Sequence, residues 1–117
     1  MTDRTQHNTV LCYITAGDRE SALRIGQDLV EQRLAACVNI LGEMTSIYRW
    51  DDAIQTDPEV ALLAKTQAHL VDRLSARVVD THGYACPCVV ALPMVGGHPP
   101  FLAWIASETE PTAEDTH

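Results

Sequence analysis

Apolar residues recur along this chain in an order that reads as strand, helix, strand, strand, helix, strand. Residues 9–15, rich in β-branched and aromatic side chains, predict a first strand. Gly17-Asp18 supplies a turn and a helix N-cap. Over 19–33, Ala22, Ile25, Leu29 and Val30 return at helical spacing, with Leu34 at the end, while Asp28, Glu31 and Gln32 fall on the polar side. That pattern predicts an amphipathic helix with one face on a sheet. Residues 36–49 predict a second strand, interrupted at Gly42-Glu43, where a glycine inside a strand pattern signals a bulge or bend. Asp51-Asp52 makes a turn. Residues 54–66 predict a third strand with Val60-Ala61-Leu62-Leu63-Ala64 at its centre, so strands two and three form one long hairpin. Residues 68–81 predict a second helix with Leu70, Val71, Leu74 and Val78 on one face. Residues 87–95 predict a fourth strand, ended by Gly96-Gly97. Pro99-Pro100 opens a short third helix carrying Phe101, Leu102, Trp104 and Ile105.

This order is the α+β, ferredoxin-like split βαβ pattern (β-α-β-β-α-β) with a C-terminal helix and a long β2-β3 hairpin. Residues 1–8 are expected to be a disordered arm, 9–108 the folded domain and 109–117 a flexible acidic tail. The fourth strand has a further consequence. Val89, Ala91, Pro93 and Val95 point one way and Val90, Leu92 and Met94 the other, so both faces are apolar. Helices in a two-layer domain cover only one face of a sheet. The expected cover for the second face is another copy of the chain. The alternative is a central fourth strand whose outer face lies under the C-terminal helix.

With 117 residues the chain fits one domain able to bury a modest core. Sixteen acids against 8 bases give a net charge of −8. That sign argues against nucleic acid and against anionic membrane surfaces as partners. No run of about 18 apolar residues is present, so no membrane span is expected. Residues 1–9 lack the apolar stretch of a secretory signal, which points to the cytoplasm. In a reducing compartment Cys12, Cys37, Cys86 and Cys88 default to free thiols. On a strand, Cys86 and Cys88 would have Cα atoms about 6.5–7 Å apart, at the upper limit for a disulfide.

Candidate chemistry is a thiol-imidazole set. His82 ends the second helix, where an imidazole can bond the last carbonyls or, when neutral, ligate copper or zinc. Cys37 stands in an apolar run, where a cysteine acts as a small hydrophobe or as the soft ligand that selects copper(I). Cys86 and Cys88 follow His82 in a His-x3-Cys-x-Cys spacing that is no standard zinc finger. A Cys37–His82 nucleophile pair would need proximity and an activated thiolate, which the apolar neighbours of Cys37 do not offer. No Ser-His-Asp order, glycine-rich phosphate loop or HExxH appears, so catalysis is not expected.

Larger blocks sharpen the picture. Arg33-Leu34-Ala35-Ala36-Cys37-Val38-Asn39-Ile40 is followed by Tyr48-Arg49-Trp50, by Lys65-Thr66 and by His82-Gly83-Tyr84 ahead of Pro87. Leu92-Pro93 and Phe101-Leu102-Ala103-Trp104-Ile105 come after. In that order and spacing the blocks resemble the CutA divalent-cation-tolerance family, from about Val10 to about Glu108. The resemblance implies a homotrimer, sheets inside and helices outside, with the hairpin reaching across subunits. It implies binding of metal ions, copper or another divalent cation, with no organic cofactor. It also implies a metal and small-ligand region in a His-Pro-Tyr-Glu-x-Pro block. This chain keeps His82, Tyr84 and Pro87 there, but has Gly83, Ala85 and Cys88 where a proline and two glutamates are usual. Some members carry a strand-one cysteine where this chain has Ile14, with Cys12 two residues earlier. Asp52-Ala53 stands where Gly-Lys is usual at the hairpin tip. The expected metal ligands are therefore His82, Cys37, Cys86 and Cys88. In the alternative, a PII-like regulatory trimer, Tyr84 and Lys65 hold a small anionic ligand in the cleft between subunits.

Overall fold

The computed structural model describes residues 8–82 and 86–109. In chain order these form β1 (Thr9–Ala16), α1 (Arg19–Glu31), β2 (Cys37–Trp50), β3 (Ala53–Gln67), α2 (Val71–His82), β4 (Val89–Pro93) and α3 (Pro99–Glu108), with a 3-10 turn at Ala68–Leu70 leading into α2. The sheet is antiparallel, ordered β2-β3-β1-β4. This is the ferredoxin-like arrangement that the sequence pattern predicts.

Side chains alternate across the sheet, so Val10, Cys12 and Ile14 of β1 share a face with Val60, Leu62 and Ala64 of β3. That face packs on Ala22, Ile25 and Leu29 of α1 and on Leu74 and Val78 of α2 to make the core. At Gly26 an added Cβ would stand 3.2 Å from Val38 Cγ1, so the missing side chain lets α1 lie close on β2. Asp18 caps α1 by accepting from the Ser21 N–H at 2.7 Å. The helix stops short of the expected residue 33. Arg33 turns left-handed at φ 59°, and the Arg33 and Leu34 N–H groups donate back to Val30 and Leu29. That is a Schellman C-cap, with Leu34 buried beside Leu29.

The β2–β3 hairpin closes on Asp51-Asp52, both left-handed (φ 56° and 62°), as a two-residue turn requires to match the strand twist. Ile40 pairs with Leu62 and Glu43 with Val60, so Leu41-Gly42 face Ala61 alone in a bulge, beside the expected interruption.

β4 differs from its sequence pattern. It spans five residues rather than nine and pairs only with β1, which makes it an edge strand and excludes the central placement. The C-terminal helix does reach the sheet's second face. Gln67 Nε2 donates to Ala106 O at 3.3 Å and to Thr109 Oγ1 at 2.9 Å. The helix nevertheless leaves Val90 and Leu92 at 50% and 49% exposure. Of the expected arm over 1–8, residues 1–7 lie outside the described residues, as does the tail beyond Thr109, while Asn8 O accepts from Ala68 N at 2.8 Å. Thr109 itself is fully buried and donates to Ile105 O, so the fold continues through it.

Candidate cation site

A cleft of about 1060 Å³ opens on the second face of the sheet, beneath the hairpin. β1 contributes Tyr13 and Thr15, β3 contributes Asp57 and Glu59, and the segment entering β4 contributes Cys86 and Cys88. Ser46, Tyr48 and Trp50 of β2 form the hairpin side. The bulge is what puts them there. Before it, the odd residues Cys37 and Asn39 pair with Lys65 and Leu63 on this face; after it, the even residues Met44 and Ser46 pair with Glu59 and Asp57. One extra residue reverses the alternation of the whole distal hairpin. Tyr48 Oη then donates to Asp57 Oδ2, and Tyr13 Oη to Met44 Sδ at 3.8 Å.

Cys88 is the most constrained donor. Burial pushes its thiol up from the ordinary value, the charge of Glu59 pushes the same way, and a hydrogen bond with the Thr15 side chain opposes both. Cys86 is exposed and Cys88 partly buried, and both are free thiols. Cys12 is fully buried on the core face, away from the cleft, and burial pushes its thiol up as well.

His82 is buried, and its Nε2 lies 2.6 Å from Thr15 O. A carbonyl only accepts, so Nε2 carries the hydrogen and has no lone pair to offer a metal. Nδ1 is itself buried. The ring thus fastens the end of α2 to the end of β1, next to the cleft wall.

Cys37 lies elsewhere. It pairs with Lys65, which pairs with Leu11, four residues along β1 from Thr15. That is about 13 Å along the strand, and Cys37 is a further two strands across. The structure therefore brings Cys86 and Cys88 together with Glu59 but separates them from Cys37. Lys65 Nζ donates to Asn39 Oδ1, sits 3.7 Å from Cys37 Sγ and lies 6.0 Å from the Phe101 ring centre. It too is at the far end from the thiol cleft. Tyr84 lies outside the described residues. Among the described residues, no three His, Cys, Asp or Glu side chains are gathered closely enough to hold a metal. Asp57 and Glu59 were not among the expected ligands. Their signal was the period-two run Asp57, Glu59, Ala61, which marks one sheet face.

The fold and cleft define a ferredoxin-like α+β domain with a thiol-carboxylate pocket on the second face of its sheet. Residues 10–108 match the family of the CutA1 divalent ion tolerance protein, and the chain belongs to that family. It is 45% identical over 96 residues to the divalent-cation tolerance protein CutA of Thermus thermophilus, covering 82% of this chain and 93% of that relative. It is 42% identical over 98 residues to the protein CutA of Mus musculus, covering 84% of this chain. The chain spans about half the length of the mouse, rice and Arabidopsis relatives it matches (55%, 57% and 56%). The solved structure of the divalent cation tolerance protein from Thermus thermophilus superposes with a TM-score of 0.85 at 42% identity, covering 87% of this chain and 99% of that one. Among the described residues, no helix is long and apolar enough to cross a membrane.

Proposed function

We propose that this chain is a cytoplasmic divalent-cation tolerance protein, a non-catalytic homotrimer that binds metal ions, copper foremost, and uses no organic cofactor. One observation carries the reading: Cys86, Cys88, Asp57 and Glu59 line the same cleft. Thiol and carboxylate together suit soft and borderline divalent cations, and the net charge of −8 draws cations in. The divalent-cation role named for the Thermus relative points the same way. This reading moves the binding region away from Cys37 and gives His82 a supporting part, holding the Thr15 wall. Because no complete ligand set is gathered among the described residues, the cleft needs a further donor, which a second subunit can supply. β2 and β4 are both edge strands, and Val90 and Leu92 stand half-exposed, as an assembling sheet requires. A small anionic ligand is the weaker reading. It would face Asp57 and Glu59, and Lys65 is at the other end of the sheet.

The test is a titration of the reduced, metal-free protein with copper, zinc and, separately, inorganic phosphate, following bound ligand and melting temperature. Saturable binding and stabilisation by metal support the reading. Stabilisation by phosphate alone would replace it with the regulatory anion site.

A further inference from the structure

We propose that Cys37 and Lys65 are a peroxide-driven cross-linking site, at which an S–N bond joins the start of β2 to the end of β3. The inference is independent of the cation reading, since neither residue lines the cleft.

Lys65 is the only lysine in the chain; the other seven Lys-or-Arg positions are all arginine. It stands directly across the ladder from Cys37. Opposed residues project to the same face, with Cβ atoms about 4.5–5.5 Å apart. Lys65 Nζ donates to Cys37 Sγ at 3.7 Å and also to Asn39 Oδ1, and the Phe101 ring centre lies 6.0 Å away. These neighbours hold the nitrogen over the sulfur. The choice of lysine decides the chemistry. A guanidinium stays protonated and has no lone pair to offer, whereas an ammonium that gives up one proton becomes a nucleophile. Cys37 is a free, partly exposed thiol, so a molecule as small as hydrogen peroxide reaches it. The other thiols lack this partner. Cys12 is fully buried in the core, and Cys86 and Cys88 line the cleft at the other end of the sheet.

The step consumes one hydrogen peroxide. The Cys37 sulfur attacks a peroxide oxygen, the O–O bond breaks, and a sulfenic acid forms while the departing hydroxide takes the thiol proton and leaves as water. Sulfur gives up two electrons and peroxide accepts them. Lys65, having released its extra proton to solvent, attacks the sulfenyl sulfur. The S–O bond breaks, the S–N bond forms, and the oxygen leaves as a second water with a proton from nitrogen. The protein thereby loses two hydrogens and one positive charge. An amine already placed beside the sulfur captures the sulfenic acid ahead of irreversible oxidation. A thiol reductant attacks the same sulfur and frees the amine again.

The experiment treats the reduced, metal-free full chain with hydrogen peroxide in the presence of a chelator. The protein is digested with trypsin without reductant and mapped by mass spectrometry. We expect a species that joins residues 34–49 to residues 50–73, uncut after Lys65 and lighter by two hydrogens than the two peptides together. Dithiothreitol should separate the two and restore the cut. Lys65→Arg should accumulate Cys37 sulfenic acid, captured by dimedone, and Cys37→Ser should give neither product. Dimedone-labelled Cys37 in the wild type with Lys65 still cut, or oxidation confined to the other cysteines, overturns the inference. The wild-type map identifies the joined residues by itself, so a variant that fails to fold does not leave the question open.

Discussion

His82 Nε2 donates to the carbonyl oxygen of Thr15 at 2.6 Å, tying the last residue of α2 to the strand whose side chains wall the cleft. Both partners are buried. Removing the imidazole withdraws that donor from a buried carbonyl, which costs about 1–3 kcal/mol. His82→Ala is therefore expected to lower stability by that amount in urea unfolding. Its metal stoichiometry is expected to stay that of the wild type, because Nε2 is spent as a donor and Nδ1 is buried. Loss of metal with unchanged stability would make the imidazole a ligand after all.

Asp28 and Arg77 join α1 to α2 through two parallel bonds, Nε to Oδ2 at 2.7 Å and Nη2 to Oδ1 at 2.8 Å. The Arg77 hydrogen bonds hold the Asp28 carboxyl below its ordinary value near 3.8, against a smaller opposing effect of burial. In acid the unfolded chain then binds a proton at Asp28 that the folded chain refuses. The stability this pair contributes is present above the ordinary value and is lost as pH falls through the depressed folded value. Arg77 is 40% exposed, so solvent screens the pair and its contribution is modest. Arg77→Ala should lower stability slightly at neutral pH, and the gap to the wild type should narrow as the solution is acidified below the ordinary carboxylate value. A gap that stays constant with pH would mean that the arginine acts through packing alone.

Arg33 holds the left-handed corner that ends α1, and its guanidinium donates to Ser107 O at 3.0 Å near the end of α3. A side chain in this conformation costs about 1 kcal/mol relative to glycine. Comparing Arg33→Ala with Arg33→Gly separates the two roles, since both variants lose the guanidinium and only glycine relieves the backbone. Arg33→Gly is expected to be more stable than Arg33→Ala by about 1 kcal/mol in urea unfolding. Equal stabilities would mean that the corner carries no strain.

Local chemistry made much of this fold legible. Gly42 marked the bulge, Asp51-Asp52 the turn and Asp18 the cap, because each acts on its immediate neighbours. β4 was read too long because apolarity continues past the ladder. Backbone pairing ends where β1 does, with Met94 N donating to Thr9 O at 3.1 Å. The site was legible only in its local half. Cys86 and Cys88 stand two residues apart in sequence, whereas Glu59 meets Cys88 through the registers β3–β1 and β1–β4, which no local pattern encodes. The same registers separate Cys37 from His82, two residues that their chemistry alone invites one to join.

The exposed face of β4 offers the sharpest test of assembly. Val90 and Leu92 share the face of Tyr13 and Leu11, and together they present an apolar row at a sheet edge. If copies join there, a charge in that row must be desolvated on assembly, while in the lone chain it stays in water. The paired substitution Val90→Lys with Leu92→Lys is therefore expected to convert a sedimenting trimer to a folded monomer, with little change in circular dichroism. The wild type should melt at a temperature that rises with protein concentration, and the variant should lose that dependence. A wild-type monomer, or a variant that still sediments as a trimer, would show that β4 is not the joining surface. In that second case the half-exposed Val90 and Leu92 would be ordinary surface residues and another face would join the copies, whereas a wild-type monomer would require the missing cation ligand to come from within a single chain.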